Sequence, residues 1–464
     1  MKVIRNLLKK FILLIVKKKY YYISALILRL FIRERLANGK NKIVFSRSNN
    51  RVTILALDAD RYRGDLEILA SVSEYRVLNI RQKWQGLFLN QIYGGIYNIS
   101  LDCRYNSISG DKSYKDIVLA KEFTNQVLGR LFSIMSVNCV TTVNYRYVED
   151  LDWTLGAVEL GIPYIMLYRE CLVHKGNRFY DDLINRHSKY KFHGSHIIVH
   201  NQTCKSMFVE SNYCKEENIS VIGALRMDKY LKEINNINII NNKIKKRKRF
   251  VLFYFPYDMS LFGKNGNPPR NYKYKYAFSI WEGRKKLFKD IHTAIVELAI
   301  ENPEIDFVIK PKDIMMKVKS WGFYNQVLYE KGFNINNVSN YSVEPYANVH
   351  NLILGSDVIC ALQSSTVIES AISGKPVILP VFTKYRKTDN FNDFTWKNYL
   401  DIFNVANDKG HLKKLIMHLM ENQYVGDDIL NKRKKVFKSF FNDTRGESLY
   451  KYVKTINNVI GNRL

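Results

Sequence analysis

The chain has 464 residues, with 72 Lys and Arg against 43 Asp and Glu, for a net charge of +29. That length implies two or three domains at about 150 residues each, and 46% hydrophobic and 13% aromatic residues with only 9 Pro exclude a largely disordered chain. The 6 cysteines lie apart without the CxxC pairs of a zinc site and read as reduced thiols of the cytosol, and no run of about 18 uncharged apolar residues encodes a membrane span.

Residues 1–38 come first. Basic residues from Lys2 to Arg35 stand against a single acid, Glu34, and flank the apolar runs Phe11 to Val16 and Tyr20 to Leu28. The triplet Lys17–Lys19 interrupts the one apolar core that a secretory signal needs. The pattern predicts an amphipathic helix at an anionic membrane surface, with Tyr20, Tyr21 and Tyr22 at the boundary, separable from the fold that follows. The alternative is a basic helix packed on its own domain.

Strand and helix signals alternate from residue 51. Val52 to Leu57 and Tyr75 to Ile80 are apolar strands, followed by helical periodicity from Asp116 to Met135 and a strand at Cys139 to Val143. A helix over 151–161 stops at Gly161, and strands follow at Tyr164 to Leu167, His196 to His200 and Ile219 to Ile222. Residues 39–233 thus read as one Rossmann-type lobe. Residues 234–249, rich in Asn and ending in a basic run, read as a linker. Strands return at Phe250 to Phe255, Asp306 to Lys310, Val358 to Ala361 and Pro376 to Leu379, with helices near 283–300 and at Thr366 to Ser373. This gives a second lobe over 250–407 and helices over 408–464. The predicted fold class is α/β, two Rossmann-type lobes with a cleft between them.

Ligands of such sheets bind beyond the carboxyl ends of the strands, so the residues there are the candidates. Gln363, Ser364, Ser365 and Thr366 stand at a helix start suited to a phosphate, and Glu369 lies one turn on, in reach of a sugar hydroxyl. Plain helix capping by Ser365 is the alternative. Lys310 and Lys312 follow a strand and offer positive charge. Asp58-Ala59-Asp60 imitates a metal motif, but its place after the first strand suits an acceptor or catalytic loop better. Glu170 follows the strand at 164–167 as a general acid or base, or as the partner of Arg169 or Arg226. Asp228, beside Arg226, reads as a nucleophile kept ionised by that arginine, or as the cap of a helix from Lys229 onward. His174, His187, His193, His196 and His200 lack the spacing of a zinc helix, although His200 sits at a strand end.

The run from Ser364 to Val377, Ser-Ser-Thr-x-x-Glu-x-Ala-x-x-Gly-Lys-Pro-Val, resembles the nucleotide-sugar motif of bacterial GT-B glycosyltransferases that build capsule and O-antigen polysaccharides. Glu159 to Tyr164, Val221 to Asp228 and Val308 to Lys312 resemble three further elements of those enzymes, so the resemblance covers patches of residues 140–380. It implies a GT-B-like fold and transfer of a sugar from a nucleotide-sugar donor to a lipid-linked or growing surface polysaccharide. The donor is then a substrate, no cofactor or metal is required, and the enzyme is cytoplasmic and peripheral on the inner face of the bacterial cytoplasmic membrane. Arg226, Lys310, Lys312, Gln363, Ser364, Ser365, Thr366 and Glu369 become donor-binding residues. The run Ser364 to Val367 also resembles that of the β-Kdo transferases, which implies CMP-Kdo as donor and an aspartate nucleophile. Two departures stand out: Lys312 replaces the family's histidine, and Gln363-Ser364-Ser365 replaces the Asp-Ser-Gly of the related sugar-nucleotide 2-epimerases. An epimerase is therefore the second reading. A nucleic-acid partner would satisfy the charge, but no recognition-helix, zinc-finger, RNP or KH pattern is present, and none is expected.

Overall fold

The computed structural model describes residues 2–44, 51–237, 247–254, 278–311, 322–334, 337–386, 391 and 394–461. The chain divides into two compact units, residues 1–232 with 440–464, and residues 233–439. Each is built on its own sheet, and the two Rossmann-type units expected of a GT-B-like chain are both present.

The first sheet holds β1 (Arg33–Arg35), β2 (Asn41–Ile43), β3 (Val52–Leu57), β4 (Tyr75–Ile80), β5 (Cys139–Thr142), β6 (Tyr164–Leu167), β7 (His196–Val199) and β8 (Ile219–Val221). Its order is β2-β1-β4-β3-β5-β6-β7-β8. The six strands from β3 to β8 run parallel, and the β1–β2 hairpin adds an antiparallel edge against β4. Along β3 the side chains alternate between faces: Leu55 and Leu57 join one core, Ile54 and Ala56 the other. Both faces are covered, which is why these strands read as unbroken apolar runs.

The helices over those faces correct two expected boundaries. Residues 1–38 are not a separable segment. The helix Lys2–Lys17 (α1) and the helix Tyr21–Arg29 (α2) bury Ile12, Ile15, Val16, Ala25 and Leu28 in the same core as Leu55 and the helix Tyr114–Met135, and β1 lies in the sheet itself. The expected tail over 408–464 is also divided. The helix Lys409–Glu421 belongs to the second unit, whereas the helix Ser448–Gly461 buries Tyr452, Ile456 and Ile460 against Ile54 and Leu66 of the first. Of the expected linker at 234–249, the helix Met227–Ile237 takes the start and a strand the end, and residues 238–246 lie outside the described residues.

The second sheet holds β9 (Lys248–Phe253), β10 (Ile305–Ile309), β11 (Tyr341–Val343), β12 (Val358–Ala361), β13 (Val377–Leu379) and β14 (Asn404–Val405). Its order is β11-β10-β9-β12-β13-β14 and every pairing is parallel. Phe250, Val251 and Leu252 of β9 and all four residues of β12 are fully buried.

Candidate functional site

In an open parallel sheet the chain leaves neighbouring strands in opposite directions where the strand order reverses, and the crevice beyond their carboxyl ends takes the ligand. In the first unit the reversal lies between β3 and β5. There β3 runs into a loop in which Asp58 (φ 48°) and Arg63 (φ 53°) are both left-handed, a conformation side chains rarely adopt without a compensating network.

That network is present. The Asp58 N–H donates to Gln85 Oε1 at 2.7 Å, and Gln85 Nε2 donates to Asp150 Oδ1 at 2.9 Å. The indole N–H of Trp153 donates to the main-chain carbonyl of Gln85 at 3.2 Å, which fixes the backbone that carries the bridging amide. Arg61 pairs with Asp58 and Glu149 and lies 3.4 Å from the Tyr147 ring centroid. Arg169 donates to the Arg61 carbonyl at 2.9 Å and to Glu170 Oε1 at 3.2 Å. At the rim, Arg81 stands 3.8 Å from Asp60. The site is graded: Asp58, Glu149 and Asp150 are buried, Arg169 and Glu170 are partly open, and Asp60 is exposed. Burial raises the Asp58 carboxyl above its usual range, against the pull of Arg61. Burial pushes Asp150 up to about 8, with the Gln85 hydrogen bond opposing it, so Asp150 holds a proton at neutral pH.

Of the four expected catalytic carboxylates, Asp58 and Glu170 therefore meet around Arg61 and Arg169, and Asp60 stands at the rim beside Arg81. Asp228 does not. It is buried, and its two carboxylate oxygens accept the N–H groups of Ser448 at 3.2 Å and Leu449 at 2.7 Å. The expected nucleophile is thus a helix cap, and it caps the helix Ser448–Gly461 rather than one beginning at Lys229. Nearby Gly223 (φ 118°) admits the returning chain, since a Cβ there would come within 2.5 Å of the Phe441 carbonyl. Arg226 belongs to this first unit: its N–H donates to Asp65 Oδ1 at 2.9 Å, and its guanidinium lies 5.8 Å from the Phe441 ring. Burial raises Asp65 to about 6, with Arg226 opposing. His200, fully buried after β7, is held neutral by burial and by the charges of Arg226 and Arg63.

The sequence reading missed Glu149 and Asp150. The signal was the start of the helix Val148–Glu159, three residues earlier than expected, which turns Glu149 and Asp150 from loop residues into first-turn residues that reach Arg61 and Gln85.

In the second unit the order reverses between β9 and β12, and the loop after β12 carries the expected hydroxyls. Ser364 Oγ accepts the Thr366 N–H at 3.2 Å and donates to Thr366 Oγ1 at 3.0 Å, so Ser364 and not Ser365 caps the short helix Thr366–Ala371. Gln363 is exposed, with Nε2 3.4 Å from Thr395 Oγ1. Glu369 is buried with Oε2 3.3 Å from His350 Nε2, on the helix Val349–Gly355 that follows β11. His350 is a further residue that the sequence reading missed. Lys310 departs from expectation: it is buried, and its ammonium donates to the carbonyls of Pro345 at 2.6 Å and Pro311 at 2.9 Å. Its charge ties two loops together. Lys312 lies outside the described residues. Gly374 (φ 80°) turns the chain into β13, and Lys375 donates to the Leu354 carbonyl at 2.6 Å, so that end of the motif is structural. Among the described residues no group of three or more His, Cys, Asp or Glu side chains is placed to hold a metal ion.

Fold and site together define an α/β protein of two Rossmann-type units with polar side chains at the reversal point of each sheet. No family model matches the chain, and no curated protein matches it. Among solved structures it is similar to the UDP-GlcNAc 2-epimerase of Neisseria meningitidis, at 14% identity and a TM-score of 0.46 over 88% of this chain and 100% of that one. It is similar to the UDP-GlcNAc 2-epimerase of Methanocaldococcus jannaschii at 12% and 0.47, over 87% and 99%. The wall teichoic acid polymerase TagF gives 12% and 0.46, over 90% of each chain. At these scores the likenesses carry no argument about the reaction.

Proposed function

We propose that the chain is a GT-B-like glycosyltransferase that moves a sugar from a nucleotide-sugar donor to a lipid-linked or growing bacterial surface polysaccharide. The observation that carries this reading is the pair of reversal points. One holds carboxylates organised by Arg61 and Arg169, suited to taking a proton from a hydroxyl. The other holds the Gln363–Thr366 loop and the Glu369–His350 pair, suited to hydroxyl and phosphate groups of a donor. As the nucleotide leaves, its phosphate gains negative charge, and fixed positive charge stabilises it.

With Asp228 turned onto a helix, the two-displacement route lacks the aspartate assigned to it. Direct displacement fits better: the Glu170 carboxylate takes the acceptor proton, the acceptor oxygen bonds to the anomeric carbon, and the bond to the nucleotide phosphate breaks with inversion. Arg226, Gln363, Ser364, Ser365, Thr366 and Glu369 then serve the donor, and Asp58 and Asp60 shape the acceptor loop. The resemblance of Ser364 to Val367 supports CMP-Kdo as the donor. Epimerisation of a nucleotide sugar is the second reading, favoured by the buried Asp58 at the end of β3, which suits proton abstraction.

A thermal-shift screen with CMP-, UDP- and GDP-linked sugars, with an oligonucleotide as control, tests the class. Stabilisation by a nucleotide sugar, and release of its nucleotide only when glycan acceptor is added, is the expected result. An isomerised nucleotide sugar formed without acceptor would give the chain to the epimerases, and stabilisation by oligonucleotide alone would end the transferase reading.

A further inference from the structure

The two N-terminal helices are apolar on more than the side they bury. α1 turns Ile12, Ile15 and Val16 into the first unit's core, yet Phe11 and Leu14 stay 51% and 49% exposed. α2 buries Ser24, Ala25 and Leu28, yet Tyr22, Ile23 and its C-terminal cap Leu30 stay 59%, 43% and 67% exposed. At about 100° per residue Leu14, Ile23 and Leu30 fall on the faces opposite the buried stripes, and Phe11 and Tyr22 flank those stripes. A helix that only had to pack on its domain would carry polar residues there. Large exposed apolar side chains concentrated on two consecutive helices mark an interaction surface.

The charge around them selects the partner. No acidic residue occurs between Lys2 and Arg33. Lys10, Lys17 and Lys18 are exposed, and make no ion pair among the described residues, whereas Lys19 is held by Glu122 at 2.7 Å. A second copy of the chain would bring the same lysines and a second +29 charge against this face, and like charges repel. An anionic bilayer offers acyl chains for Phe11 and Leu14 and phosphates for the lysines, with Tyr20 and Tyr22 suited to the boundary between them. We infer that the exposed faces of α1 and α2 bind the surface of an anionic lipid bilayer, lying in its plane. No helix among the described residues is long and apolar enough to cross one. This inference stands on the surface alone and does not depend on the reaction proposed above.

The experiment keeps the full chain, because residues 1–36 include β1 and part of the core and cannot be removed without damage to the fold. Sedimentation is measured with vesicles of phosphatidylcholine alone and with about one third phosphatidylglycerol, at low and high salt. The wild type is expected to bind the anionic vesicles and to release them in salt. Each lysine near such a surface is worth about fivefold, so Lys10→Gln/Lys17→Gln/Lys18→Gln weakens binding about a hundredfold. Phe11→Ser/Leu14→Ser weakens it by about tenfold or more, through the lost apolar burial. Circular dichroism and melting unchanged in both variants show that the fold is intact, as exposed positions should allow. Equal binding to neutral and anionic vesicles, no binding by the wild type, or variants that bind like the wild type would each overturn the inference. So would a wild-type dimer that Leu14→Ser converts to a monomer with vesicle binding unchanged, since the face would then belong to a second copy.

Discussion

Asp150→Asn tests the site where its electrostatics are most demanding. The Asp150 carboxyl, in the first turn of the helix Val148–Glu159, is buried, and burial raises it from an ordinary 3.8 to about 8, against the hydrogen bond from Gln85. Between those two values the native chain keeps a proton that the unfolded chain has already released. The native state therefore binds more protons, and stability falls as pH rises through this window. A full proton of difference costs ~1.4 kcal/mol per pH unit, so from about pH 5 to pH 7 this one group removes about 2.5 kcal/mol. Asparagine keeps Oδ1 as acceptor for Gln85 Nε2 and cannot ionise, so it preserves the hydrogen bond and abolishes the titration. Urea unfolding of both proteins at pH 5, 6 and 7 is the assay, read on the transition that carries the first unit. The other titrating groups are common to both chains and cancel in the difference. The variant should gain about 2.5 kcal/mol on the wild type across that interval. A difference that stays flat with pH would refute the reasoning, because it would mean that Asp150 is ionised throughout and that its burial is offset in some other way.

Three further outcomes follow from individual side chains. Asp228→Ala should lower stability by about 1–3 kcal/mol, since it strands the N–H groups of Ser448 and Leu449; a fully stable but inactive variant would return Asp228 to the chemistry. Glu170→Gln should lower kcat by about 10²–10⁴ with the donor KM little changed, as expected for a lost general base, and unimpaired turnover would remove Glu170 from that role. Lys310→Met should lower Tm and leave the donor KM unchanged, because the ammonium is spent on the Pro311 and Pro345 carbonyls; a selective rise in KM at unchanged Tm would show that Lys310 meets the donor.

The strands that the sequence made legible are those buried on both faces. Val52–Leu57, Tyr75–Ile80, Tyr164–Leu167 and Val358–Ala361 have the bounds that their apolar runs predict. The strands that escaped notice owe their existence to neighbours. Arg33–Arg35 and Asn41–Ile43 are a charged edge hairpin without apolar alternation, held by pairing with each other and with β4, and the edge strands Tyr341–Val343 and Asn404–Val405 are three and two residues long. The N-terminal helices were legible as helices, but not as core, because one stripe of Ile12, Ile15 and Val16 cannot announce which surface will receive it. At the site, Asp58 and Glu170 were legible because they end apolar strands. Asp150 was not, because its neighbourhood is made by Gln85, sixty-five residues away along the chain.

The stretches that resemble known motifs divide on the same physical line. Residues at the carboxyl ends of strands beside a reversal point, such as Asp58 and the Gln363–Thr366 loop, face a place where the fold leaves room for a ligand. Gly223 and Asp228 also follow a strand end, but β8 is the edge strand of its sheet, far in order from the reversal, and what meets them is the chain's own return at Phe441 to Leu449. A glycine that admits a backbone and a carboxylate that caps a helix are what that joint needs, and the spacing from Gly223 to Asp228 is explained by it without any substrate. Gly374 and Lys375 stand in the same relation to the turn into β13. A motif of this kind mixes residues that make a site with residues that build the frame around it, and strand order separates the two where residue type does not. By that criterion the glycosyl transfer proposed above would draw its carboxylate from the β3–β5 side of the first sheet, from the group that Arg61 and Arg169 organise, and the carboxylate beside Arg226 belongs to the frame.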